Sequence, residues 1–150
     1  MSHDDIQGLP IAKAAAPDSI LFIWIVQTQI EYAVAVVNAW GFTMKSVAFA
    51  WFKGDKLPLF PDDIRTQMGM GMWTRAEFEQ CWLATRGSPR RLNADVRQAI
   101  LEPRREHSRK PDCVYERIER LCAGPRLELF ARTRRPGWDA WGNEVGKFTA

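Results

Sequence analysis

The segment Ile20-Leu-Phe-Ile-Trp-Ile-Val26 contains no polar side chain and consists of β-branched, aromatic and leucine residues. That length suits a strand, and continuous apolarity, as opposed to alternation, marks a strand covered on both faces. Pro17-Asp18-Ser19 just ahead of it is turn-like, so the reading is a central buried strand over 20–26. After it, Ile30, Ala33, Val34, Val37 and Trp40 recur at helical intervals until Gly41, the expected helix stop. Ser46 to Phe52 then resumes a β-rich pattern. Strand, helix and strand within about 30 residues predict a βαβ unit of a parallel sheet with a right-handed crossover.

Further along, Lys53 to Gly71 has little periodicity and many Gly, Pro and Asp residues, which predicts a long functional loop. Short strands are expected at Cys81–Thr85, Val96–Leu101 and Leu127–Phe130. Between the last two, a helix should begin at Pro111, whose missing N–H costs nothing in a first turn. Val114, Ile118 and Leu121 give that helix one apolar face, and Gly124-Pro125 stops it. The tail from Pro136-Gly137, with Trp138 and Trp141, reads as irregular. Alternating strands and helices predict an α/β sandwich.

The chain of 150 residues is the size of one domain, so a single domain over 1–150 is expected. Its 46% hydrophobic content and seven tryptophans exclude intrinsic disorder. The longest apolar run is Ile20–Val26, far short of the roughly 20 residues that span a bilayer. The start Met1-Ser2-His3-Asp4-Asp5 lacks the basic and apolar regions of a signal peptide. A cytoplasmic protein without a membrane partner is the expectation. Cys81, Cys113 and Cys122 have neither zinc-site spacing nor a disulfide pattern, and read as reduced thiols with no metal site. A net charge of +3 says little. Its distribution says more: Arg86 to Lys110 carries eight basic residues against three acidic ones, and Arg132, Arg134 and Arg135 form a second basic cluster.

Several ordered segments carry a resemblance. They are Leu21-Phe-Ile-Trp24, Trp40-Gly-Phe42, Gly69-Met-Gly-Met-Trp73, Glu102-Pro-Arg-Arg-Glu-His-Ser-Arg-Lys-Pro-Asp112, Glu128-Leu-Phe-Ala-Arg132 and Pro136-Gly-Trp-Asp-Ala-Trp-Gly-Asn-Glu-Val145. Together they resemble the adenine-N6 methyltransferase family that includes the catalytic subunit of the eukaryotic mRNA methyltransferase and its phage and bacterial relatives. The resemblance covers nearly the whole chain in order. It implies a Rossmann-like α/β fold that uses S-adenosylmethionine, with ligands at the carboxyl ends of parallel strands.

Carried over position by position, the resemblance puts Lys110 at the methionine part of the cofactor, Arg132 and Glu144 at the ribose hydroxyls, and Asn143 at the cofactor's polar end. Phe130 closes the short strand beside it. These residue types suit the task. A carboxylate needs a cation near a helix start, where the dipole also favours an anion, and vicinal hydroxyls need an acceptor. On the substrate side, Glu79 and His107 align near the target base. The arginine-rich stretch, Arg105 included, would supply phosphate contacts that set affinity without reading sequence. Nucleic acid is thus the implied partner, DNA ahead of RNA, and the base must be flipped out of a duplex. Lys53 to Gly71 falls where the family places segments that close over substrate.

The family's catalytic Asp-Pro-Pro-Trp is absent from this sequence, and Phe60-Pro61-Asp62-Asp63 is only a compositional echo. No catalytic residue is therefore assigned. Met1-Ser-His-Asp-Asp-Ile-Gln-Gly-Leu-Pro10 resembles a stretch that follows that tetrapeptide in the family, so the expectation is an N-terminally truncated or mis-started reading of a longer enzyme. Such a chain would lack a strand, expose a pairing edge, and be marginally stable or associate with itself or another chain. Two readings stay open: a methyltransferase family member inactive alone, and a catalytically silent subunit that binds nucleic acid or a partner.

Overall fold

The computed structural model describes residues 1–54 and 73–148. In chain order it contains α1 (His3–Gln7), α2 (Ile11–Ala14), β1 (Ser19–Ile25), α3 (Ile30–Ala39), β2 (Thr43–Lys53), β3 (Phe78–Arg86), β4 (Ala99–Glu102), α4 (Cys113–Leu121), β5 (Leu127–Leu129) and β6 (Asp139–Trp141). Most of the expected loop Lys53–Gly71, together with the Gly69–Met72 motif, lies outside the described residues. None of the described helices is long and apolar enough to cross a membrane.

Four strands form one sheet in the order β1-β3-β2-β4, and β5 and β6 form a separate parallel pair. The mixed α/β architecture agrees with the sequence reading, but the expected parallel βαβ unit does not form as such. β1 and β2 run in the same direction, yet β3 lies between them and is antiparallel to both. Only β4 pairs parallel to β2. A second correction follows: 20–26 is not a central strand. β1 stands at the edge of the sheet and is mostly half-buried. The two interior strands are β3, whose Cys81 and Ala84 are fully buried, and β2, which buries Phe49 and Trp51.

The apolar run misleads about position because it reports what covers the two faces, not what pairs at the sides. Leu21 and Ile23 pack with Val36, Val37 and Trp40 of the α3 layer. Phe22 and Trp24 point the other way and pack with Phe49, Trp51, Ile100, Val114 and Ile118, the last two from α4. Both faces of an edge strand are covered, so alternation is lost.

The helix over 30–40 ends where expected. Gly41 has φ +81°, and the N–H groups of Gly41 and Phe42 donate to the carbonyls of Asn38 and Val37, both at 3.0 Å. That pairing is a Schellman stop, which favours glycine at the left-handed position. The short α1 packs on α3, with Trp40 Nε1 donating to the Ile6 carbonyl at 3.0 Å. α4 starts two residues after Pro111 and buries Val114 and Ile118. The tail is not wholly irregular: 139–141 forms β6, because Trp141 pairs in register with Leu129. All three cysteines are free thiols, and burial pushes Cys81 up to about 12.

Candidate functional site

Glu79 lies at the start of β3, opposite Trp51 in the β2 register. Lys53, at the end of β2, reaches its carboxylate at 2.6 Å. From the loop ahead of α4, Lys110 pairs with the same carboxylate. Burial would raise the Glu79 carboxyl, but the hydrogen bonds from Lys110 and Lys53 outweigh that and hold it below its ordinary value. Trp24 and Trp51 line the cluster, with the Lys110 ammonium 5.4 Å from the Trp24 ring and the Lys53 ammonium 5.3 Å from the Trp51 ring. Two lysines face one carboxylate here, so the cluster keeps a surplus positive charge that an incoming anion can use.

The second centre forms where β5 ends. Phe130 takes φ +56°, is 46% exposed as a residue, and its ring meets the Trp141 ring edge-on at 5.6 Å. The turn after β6 comes so close that a Cβ on Gly142 would sit 2.9 Å from the Ala131 nitrogen and the Phe130 Cα. Only a residue without a side chain permits that approach. Arg132 Nε then meets Glu144 at 3.0 Å, and Lys147 meets the same carboxylate at 2.6 Å. Hydrogen bonding from Lys147, aided by Arg132, holds the Glu144 carboxyl below its ordinary value. Asn143 is exposed beside it.

The loop ahead of α4 joins the two centres. The Arg132 guanidinium donates to the His107 carbonyl at 3.3 Å. Asp112 gathers Arg105 at 2.7 Å, Arg109 at 3.4 Å, and Arg135. Burial opposes ionisation of Asp112, and the hydrogen bond from Arg105 with the nearby guanidiniums overcomes it. The Tyr115 hydroxyl of α4 donates to Glu128 of β5 at 2.7 Å, and burial raises the Glu128 carboxyl. An open groove of about 420 Å³ is lined by Asp112, Tyr115, Glu116, Glu119, Arg135 and Pro136. It contains none of the residues expected to contact cofactor or substrate.

The residues expected to share a site therefore fall into two linked groups. Arg132, Glu144, Phe130 and Asn143 converge at the end of β5. Lys110 and Glu79 meet each other, and the 105–110 loop connects them to the first group. Arg105 is held by Asp112 and the Lys110 carbonyl. His107 takes part through its backbone, with its side chain exposed. The structure adds Lys53 and Asp112, which sequence reasoning did not single out. Asp112 was in view within the Lys-Pro-Asp stretch, but sequence neighbours carry no signal of which cations an acid will hold, and one of its partners, Arg135, lies 23 residues on.

Comparison with known proteins places this geometry in context. The MT-A70 family model matches residues 1–144. The type II methyltransferase M.MunI of Mycoplasma sp is 33% identical over 145 residues, covering 94% of this chain and 57% of that protein. The human N(6)-adenosine-methyltransferase catalytic subunit METTL3 is 31% identical over 149 residues, covering 97% of this chain and 25% of its own length. The Drosophila melanogaster MT-A70-like protein is 30% identical over 149 residues, covering 97% and 24%. The chain thus spans just over half of the Mycoplasma protein and about a quarter of the two animal ones.

Proposed function

The chain belongs to the MT-A70 family of N6-adenine methyltransferases, and from that premise we propose that it binds S-adenosylmethionine and serves methyl transfer to the 6-amino group of adenine in DNA. The observation that carries the proposal is the grouping at the end of β5. There the half-exposed Phe130, the close turn at Gly142 and the Arg132–Glu144 pair are tied to the loop bearing Lys110. The mixed sheet with helices packed on both faces is compatible with a Rossmann-like fold.

These residues suit the cofactor. The surplus charge at Lys110 and Lys53 favours a carboxylate. Glu144, an exposed ionised acceptor, and Arg132 can hold vicinal hydroxyls, with Asn143 beside them for the remaining polar atoms. When bound, the cofactor supplies an electrophilic methyl group on its sulfonium. This chain's part is to orient that group and present the base. Glu79 offers acceptor oxygens to the nucleotide, the exposed His107 lies in the same connecting loop, and Arg105 with its neighbours faces phosphates.

The sequence holds no Asp-Pro-Pro-Trp. The exocyclic amine of adenine is a poor nucleophile because its lone pair is delocalised, and this sequence holds no such tetrapeptide to orient it. We therefore propose that this chain is inactive alone. The second reading, a silent methyltransferase-like subunit holding nucleic acid or a partner chain, rests on the same absence.

Calorimetry with S-adenosylmethionine tests the cofactor assignment. Lys110→Ala and Arg132→Ala each remove a charge-assisted contact and should weaken binding roughly tenfold to a hundredfold. Wild-type binding left untouched by both substitutions would remove these assignments. Transfer of labelled methyl to adenine-containing DNA and RNA oligonucleotides then separates the readings. The chain alone should show none, and DNA should be the better acceptor once an Asp-Pro-Pro-Trp-bearing extension is supplied.

A further inference from the structure

Phe148 follows the Gly142–Glu144 turn and is half-buried. Its ring centroid lies 5.2 Å from the guanidinium carbon of Arg109 and 5.8 Å from that of Arg132. Its backbone N–H donates to the Arg132 carbonyl at 3.1 Å, as does that of Gly146. One residue thus holds Arg132 at both ends, by its carbonyl and by its guanidinium. Arg109 comes to the same ring from the loop that carries Lys110, where Glu106 at 3.1 Å and Asp112 at 3.4 Å anchor it.

Two guanidiniums near one ring repel each other. The negative face of the ring offsets that repulsion, and a guanidinium near an aromatic face is attracted in a way an aliphatic side chain cannot copy. The contacts run without a break from the 106–110 loop through Phe148 to Arg132 and on to Glu144. They fix the spacing between the loop bearing Lys110 and the Arg132–Glu144 pair.

We propose that Phe148 is a positioning residue for the cofactor: by bridging Arg109 and Arg132, its ring holds Arg132 in the orientation in which it meets the ribose. The inference rests on the reading of Arg132 as a cofactor contact and adds a residue that this reading does not include. Phe148→Leu keeps apolar volume but removes the π face, whereas Phe148→Trp keeps the face and strengthens it.

The experiment is calorimetry with S-adenosylmethionine on the wild-type, leucine and tryptophan chains, together with melting temperatures and NMR of the arginine Nε–Hε groups. The leucine variant should bind roughly threefold to tenfold more weakly at an unchanged melting temperature. It should also lose the ring-current displacement of the Arg109 and Arg132 resonances, and the tryptophan variant should regain both. Equal binding by the leucine and wild-type chains would overturn the inference while leaving the cofactor reading intact. If the leucine variant melts early, the tryptophan variant decides, and binding weaker than wild type overturns the inference. No binding by the wild type, with its arginine resonances still ring-shifted, removes the cofactor reading itself and the role of Phe148 with it.

Discussion

Glu79 and Lys110 form an ion pair between the start of β3 and the loop ahead of α4. The proposed reading gives one to the target base and the other to the cofactor, and in the structure the two hold each other in place. Lys53 shares the same carboxylate.

Removing that carboxylate leaves Lys53 and Lys110 facing each other. Glu79→Ala should lower stability by about 1–2 kcal/mol, short of the roughly 3–5 kcal/mol for breaking a fully buried pair. The discount reflects side chains that remain 21–28% exposed. Urea denaturation measures the change, and a loss within experimental error would mean that the triad is a solvated surface feature.

Acid should destabilise the fold through Glu79 and Asp112, both held below their ordinary values of 4.5 and 3.8. A carboxyl whose folded value is depressed contributes stability that is complete above its unfolded value and disappears as pH falls through the folded one. The unfolding midpoint should therefore fall as pH drops below about 4.5, and a Glu79→Gln, Asp112→Asn double variant should show a flatter profile over that range. Parallel profiles for the two proteins would exclude these groups as the source.

At Gly142 the limit is backbone approach. A Cβ there would stand 2.9 Å from the Phe130 Cα and the Ala131 nitrogen, so Gly142→Ala must push the turn away from β5. The expected loss is about 1–3 kcal/mol, with a fall in S-adenosylmethionine affinity because Asn143 and Glu144 follow directly. Gly137, where nothing lies within 4 Å of the added carbon, is the comparison site. Equal effects at the two positions would rule out crowding as the cause.

The outer edge of β1 has no strand paired to it among the described residues. Its backbone groups are open to another strand, and light scattering should show a mass that rises with concentration. A constant monomer mass across the concentration range, together with a high melting temperature, would count against an open edge.

Local structure was legible in the sequence wherever a short-range rule governs it. The helix ending at Gly41 follows from periodicity and a left-handed stop, and α4 from the spacing of Val114, Ile118 and Leu121. The family could be read from ordered motifs, and the comparisons bear it out. Strand neighbours were not legible. The run Ile20–Val26 states that both its faces are covered, which is as true of the edge position it holds as of the central one expected, and only tertiary pairing put β3 beside it. β6 was missed because three residues carry too little pattern of their own and are extended only by pairing with β5.

The same division holds at the site. The sequence by itself determined which charged and aromatic residues are present and, through the family motifs, which of them to watch: Lys110, Arg132, Asn143, Glu144 and Glu79. The tertiary structure alone decided their partners. Lys53 and Lys110, separated in sequence by β3 and β4, share Glu79, and Arg109 and Arg132 share the ring of Phe148. Helical and strand periods arise from neighbours along the chain, whereas an ion pair or a cation–π contact depends on distances that are set only once the layers have packed.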